Sequence, residues 1–132
     1  MKDKVKLIIA TNAFGMGVNK SNIRYVINYS IPSSIEDFSQ QSGRASRDGK
    51  YAESIILFSY DDIKTINYFI ENIDSENMSF LRQFNIKRDN KIKLEKMIEF
   101  CTTKKCLHKY LVNYFDQDYE KKCLMCSNCI KE

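Results

Sequence analysis

The chain has 132 residues, 43% of them hydrophobic, five cysteines and a net charge of +4, enough for one domain with a small appendage and no second full domain. No apolar run approaches the roughly 18 residues of a membrane span, and no basic-then-apolar leader opens the sequence, so membrane and secretory classes are excluded. A soluble, intracellular protein is expected, in which clustered cysteines bind metal rather than form disulfides.

In chain order, Val5-Lys-Leu-Ile-Ile-Ala10 is short, apolar and rich in β-branched residues, which predicts a buried strand. Gly15 and Gly17 follow on either side of Met16, a loop suited to backbone approaching a ligand at the end of a strand; an ordinary strand-to-helix turn would read the same way. Ile23 to Tyr29 predicts a second strand, closed by Ile31-Pro32. Ser33 or Ser34 is a natural N-cap with Glu36 and Asp37 in capping-box register, so a helix is expected from about residue 34 to Gly49. On that helix Gln40, Arg44 and Arg47 fall at i, i+4 and i+7 and share a face. Two guanidiniums in register fit phosphate oxygens, and surface arginines on a solvated face would give the same pattern.

Ser54 to Phe58 predicts a third strand, and Ser59 caps a helix with an apolar stripe at Ile63, Ile66, Ile70 and Ile73. The order strand, glycine loop, strand, helix, strand belongs to the latter part of a parallel α/β lobe. Asp74 to Asn77 is polar and reads as a linker, dividing a lobe at residues 1–75 from a helical unit at 76–132. In the second unit Leu94, Met97, Ile98 and Cys101 repeat at helical spacing, as do Leu107, Tyr110, Leu111 and Tyr114 after a break at Thr102-Thr103, which predicts a helical hairpin. Between Arg82 and Lys109 stand nine Lys/Arg and three Asp/Glu, a local +6. Lys87, Arg88, Lys91 and Lys93 within it are candidate phosphate contacts to DNA, with a solvated helix face as the plain alternative.

A hairpin this small needs a staple. Cys106 and the run Cys123-Leu-Met-Cys126-Ser-Asn-Cys129 supply four thiolates, and the paired x-x spacing lets sulfurs of one turn reach one tetrahedral zinc ion. Bacterial ferredoxins open with the same spacing, but the Cys-Pro that completes their run is missing here, so structural zinc is preferred to an iron–sulfur cluster. Cys101 is read as a core residue and His108 as a surface residue.

Three segments carry a resemblance. Ala10-Thr-Asn-Ala-Phe-Gly-Met-Gly-Val-Asn-Lys20 resembles motif V, and Gln40-Gln-Ser-Gly-Arg-Ala-Ser-Arg-Asp-Gly49 motif VI, of the RecQ ATP-dependent DNA helicases of superfamily 2. Cys106 to Phe115 resembles the zinc-binding subdomain of the same family. The similarity runs from Val5 to Cys129, with four departures: Gln41 where the family has Glu, Ser46 where it has Gly, and His108 and Lys109 where it has arginines.

The resemblance implies the C-terminal part of a RecA-like parallel-sheet lobe followed by a zinc subdomain, in an enzyme that unwinds DNA 3′ to 5′ with ATP. It implies that Gly17, Asn19 and Gln40 lie near ATP, that Arg47 is the arginine finger with Arg44 as its partner, and that Thr11 and Asn12 touch single-stranded DNA near a duplex junction. No phosphate loop and no Asp-Glu-x-His motif is present, so ATP and Mg²⁺ would be held mainly by an N-terminal lobe outside this chain. Such a protein works in the nucleus of a eukaryote or the cytoplasm of a bacterium. A stand-alone zinc-stapled nucleic-acid-binding module without motor activity is the alternative reading.

Overall fold

The computed structural model describes residues 6–11, 20–73 and 78–130. Two strands, β1 (Tyr25–Asn28) and β2 (Glu53–Ile56), pair in parallel with Tyr25 opposite Glu53 and Asn28 opposite Ile56. Parallel neighbours need a crossover, and helix α1 (Ile35–Ser42) supplies it. Helices α2 (Tyr60–Glu71), α3 (Phe80–Thr102), α4 (Leu107–Tyr114) and α5 (Ser127–Ile130) follow.

The expected cap of α1 forms: Ser34 Oγ accepts the Asp37 N–H at 3.1 Å while Ser33 Oγ donates to the Asp37 carboxylate at 2.6 Å. Ser59 caps α2 by accepting the Asp61 N–H at 3.2 Å. Asp62 does not reach back to that cap; its carboxylate accepts the Ile31 N–H at 3.1 Å and ties α2 to the segment that leads into α1.

Two expectations are corrected. Residues 6–11 form no strand, and Leu7 and Ile9 are 73% and 92% exposed, because among the described residues no neighbouring strand or covering helix takes up that run. The helix after Pro32 ends at Ser42 rather than near Gly49. Gly43 closes it by donating its N–H to Ser39 O at 2.9 Å, and the chain then turns to bond with the backbone ahead of β1. Arg44 and Arg47 therefore leave the helix, and the shared face with Gln40 does not exist. The glycine loop at 15–17 and the linker at 74–77 lie outside the described residues.

The core joins the segment at residues 31–38 to α3 and α4. Ile31, Ile35 and Phe38 pack with Met97 and Phe100 of α3; Ile35 and Met97 are fully buried. The Phe38 and Phe100 rings lie 5.3 Å apart, and Phe100 meets Tyr110 of α4 at 5.6 Å. Met97, Ile98 and Cys101 of the predicted stripe make this contact, Leu94 is also buried, and α3 extends N-terminally of the stripe by fourteen residues to Phe80. Thr103 caps the C-terminal end of α3, where the break was expected.

Since Phe100 contacts α1 and α4 at once, Phe100→Ala is expected to cost about 3–5 kcal/mol in a denaturant titration. Hydrogen exchange should accelerate in α1 as well as in α3 and α4; a change confined to α3 would contradict the shared core.

Candidate functional site

Two features gather the candidate residues, and the first is a sulfur cluster. The Sγ atoms of Cys106, Cys123, Cys126 and Cys129 all lie within 4.8 Å of one another, with Cys106 to Cys126 and Cys123 to Cys129 each at 4.0 Å. A tetrahedral zinc with Zn–S bonds of about 2.3 Å requires sulfurs about 3.8 Å apart, so the arrangement matches what such an ion demands. No disulfide competes, all five cysteines being free thiols.

Local structure explains the convergence. Cys106 is the N-cap of α4 and accepts the Lys109 N–H at 3.5 Å, so one ligand sits at the positive end of a helix. Cys123 opens a turn in which its Sγ accepts the Cys126 N–H at 3.2 Å and the Met125 N–H at 3.5 Å; Leu124 takes the left-handed φ of 58° that lets the chain fold around the sulfur. The Leu107 N–H donates to Cys126 Sγ and the Cys123 N–H to Cys106 Sγ, both at 3.4 Å. These donors favour thiolate over thiol. Asn128, between the last two cysteines, donates to Thr103 O and Lys105 O at 2.8 Å and latches α5 onto the turn between α3 and α4.

Without a metal the four sulfurs are in conflict. Burial works against ionising Cys126, yet the amides of Leu107 and Cys129 and the neighbouring thiols bring it down to about 6. Cys106 is lowered in the same way, against its burial, by the Lys109 and Cys123 amides. Lost solvation and the neighbouring sulfurs push Cys129 up to about 12. A dication at the centre would stabilise all four as thiolates, and a closed four-sulfur shell would leave no position for substrate, so its role would be structural.

Cys101 stands apart, packed against the core, where burial pushes its thiol up to about 11. His108 is exposed on α4 and outside the cluster.

The second feature is the loop from Gly43 to Lys50, which holds Arg44 half-buried and Arg47 exposed; Gln40 is exposed on the last turn of α1. The loop docks on the chain just ahead of β1: the Ser46 N–H donates to Ile23 O at 3.1 Å and the Asp48 N–H to Ser21 O at 3.3 Å. Arg47, between these two anchors, thus lies beside the chain that leads into β1, while the Arg44 N–H donates to Gln41 O at 3.2 Å at the end of α1. Ser46 has a φ of 56°, a conformation that costs a non-glycine residue roughly 1–2 kcal/mol. Its hydroxyl donates to Lys50 O, a bond of about 1 kcal/mol that offsets much of this cost and makes serine tolerable there.

The remaining candidates are dispersed. Thr11 is exposed, and Asn12, Gly17 and Asn19 lie outside the described residues. On α3, Lys87 Nζ donates to Glu71 O at 2.7 Å, Lys91 pairs with the Glu71 carboxylate, Arg88 lies 3.6 Å from Asp89, and Lys93 is exposed. Lys87 and Lys91 therefore also fasten α3 to α2.

Residues 60–130 match the family model described as RecQ zinc-binding, and residues 1–49 match the helicase conserved C-terminal domain. The chain is 38% identical over 129 residues to the ATP-dependent DNA helicase RecQ of Bacillus subtilis, covering 98% of this chain and 20% of that protein. It is 35% identical to the RecQ helicase of Pasteurella multocida, covering 98% of this chain and 19% of the relative. It is also 35% identical to the ATP-dependent helicase SGS1 of Saccharomyces cerevisiae, covering 96% and 9%. The chain spans a fifth or less of the length of these relatives.

Zinc contributes about 10–16 kcal/mol to the folding of small metal-dependent units, so Cys106→Ala is expected to unfold residues 106–130 and abolish zinc retention. Cys101→Ala should cost only about 1 kcal/mol and keep the metal. Circular dichroism melts with and without chelator, beside zinc analysis of each variant, check both.

Proposed function

The chain belongs to the RecQ helicase family, and from that premise we propose that it forms part of the motor of an ATP-dependent 3′ to 5′ DNA helicase. Residues 1–75 are the C-terminal part of its second RecA-like lobe, and residues 76–132 are its zinc-stapled helical subdomain. An N-terminal lobe beyond this chain supplies the phosphate loop and the Mg²⁺ site. The observation that carries this reading is that a sulfur cluster of zinc dimensions and a backbone-docked arginine loop stand on helices that share one core. Support also comes from the open sheet: Tyr25 and Ile27 of β1 are 63% and 56% exposed, whereas parallel sheets normally have both faces covered.

In this reading Arg47 completes the ATP site across the cleft between lobes. Charge develops on the γ-phosphoryl oxygens as the bond to the leaving group lengthens, and a guanidinium held in place stabilises that charge without reorganising. Arg44 is its partner on the same phosphates, and Gln40, Gly17 and Asn19 line the nucleotide. Thr11 and Asn12 contact the phosphates of the translocated strand. Lys87, Arg88, Lys91 and Lys93 add attraction for the DNA backbone without reading sequence. The zinc ion takes no part in the reaction; its four cysteines set α4 and hence the face of α3 that meets α1.

Arg47→Ala in the complete polypeptide should keep ATP binding and lose about 10³- to 10⁵-fold in DNA-stimulated hydrolysis. Near-normal hydrolysis would overturn the assignment, and DNA binding with no ATPase in the parent protein would leave the module without a motor. Replacing Lys87, Arg88, Lys91 and Lys93 with Gln should lower DNA affinity for all sequences alike and flatten its dependence on salt; an unchanged slope would return these side chains to a structural role on α3.

A further inference from the structure

The loop with Arg44 and Arg47 is fixed by a residue outside both family motifs. Arg24 sits in the chain just before β1, and its carbonyl accepts the Glu53 N–H at 2.8 Å, so its backbone is already part of the strand pairing. Its guanidinium reaches the loop with both terminal nitrogens, Nη1 to Asp48 Oδ1 at 3.0 Å and Nη2 to Asp48 Oδ2. Nη1 also donates to Tyr51 O at 3.4 Å. Asp48 Oδ1 in turn accepts the Lys50 N–H at 3.2 Å. Asp48 stands next to Arg47, and Ser46, on the other side of Arg47, is held in the left-handed region by its bond to Ile23, the neighbour of Arg24.

We infer that Arg24 is a positioning residue for the arginine loop, its two-pronged grip on Asp48 setting the direction in which Arg47 leaves the backbone. This rests on the reading of Arg47 as the phosphate-facing finger. The side chains of Arg24 and Asp48 are 32% and 24% exposed, and ion pairs in contact with water add little to stability. What the pair adds is geometry: two parallel bonds between planar groups fix an angle that one bond does not. A lysine at position 24 would keep the charge and lose the fork.

The test is Arg24→Lys, Asp48→Asn and the double variant in the complete polypeptide, beside Arg47→Ala. Each of the first three should melt within a few degrees of the parent and retain its zinc. Each should bind ATP within about threefold of the parent, while kcat for DNA-stimulated hydrolysis falls at least tenfold. Amide exchange at Ser46 and Asp48 should accelerate, with exchange in α3 unchanged. The double variant should be no worse than either single one, as for two groups that act as a unit. Unaltered exchange at Ser46 and Asp48 would overturn the inference whatever Arg47 does. Losses in kcat that add in the double variant would also overturn it, as would losses that track the melting temperature. If Arg47→Ala is inactive and Arg24→Lys runs at the parent rate, the inference fails and the finger reading stands. If Arg47→Ala hydrolyses ATP normally, the finger reading itself fails and takes the catalytic role of Arg24 with it.

Discussion

From Cys106 to Ile130 the chain is arranged by the requirement that four sulfurs meet around one point. The segment from Phe115 to Lys122 contains no helix or strand and buries almost nothing, so apolar burial alone cannot order it. Closing the loop from Cys106 to Cys129 through a metal removes the disorder that this segment would otherwise have. Once Cys106 is fixed, α4 begins there, and its Tyr110 and Tyr114 are delivered to α3 and α1. Metal coordination and side-chain packing are therefore coupled through α4.

The delivery can be followed atom by atom. Tyr110 lies against Phe100 and directs its hydroxyl to Lys96 O at 3.4 Å, while burial and the Glu99 carboxylate push the phenol up to about 12. Tyr114 donates to Glu36 Oε1 at 3.1 Å across 78 residues of sequence, and burial with this bond raises its pKa. Glu36 is in the first turn of α1, the helix that ends at Gly43 and releases the arginine loop. Sulfur cluster, α4, α1 and loop thus form one continuous chain of contacts. The match to the RecQ zinc-binding family begins at residue 60, the first residue of α2.

The parts legible in the sequence were those set by local chemistry. Ser34 and Ser59 cap as their side chains dictate, the Cys-x-x-Cys-x-x-Cys run brings its sulfurs together, and the stripe from Leu94 to Cys101 faces the core because its spacing is helical. What was not legible depends on partners distant in sequence. Gly43 and Gly49 are both plausible helix stops; the earlier one wins because Ser46 and Asp48 find acceptors at Ile23 and Ser21. The left-handed conformation of Ser46 was signalled only by the glycine the resembling family has at that position, and the pairing of Arg24 with Asp48 across 24 residues carries no local signal. Leu7 to Ile9 has the composition of a buried strand, but composition names no neighbour to pair with, and the described residues provide none. In the N-terminal half of α3, Phe80, Leu81 and Phe84 are exposed, so the helix continues there with no core to face.

The most direct measurement on the account as a whole is the metal and its shell, read together by elemental analysis and X-ray absorption of the purified protein. One zinc per chain, surrounded by four sulfurs at about 2.3 Å, is expected. A folded, metal-free chain would contradict it, and so would iron or a zinc shell containing nitrogen or oxygen.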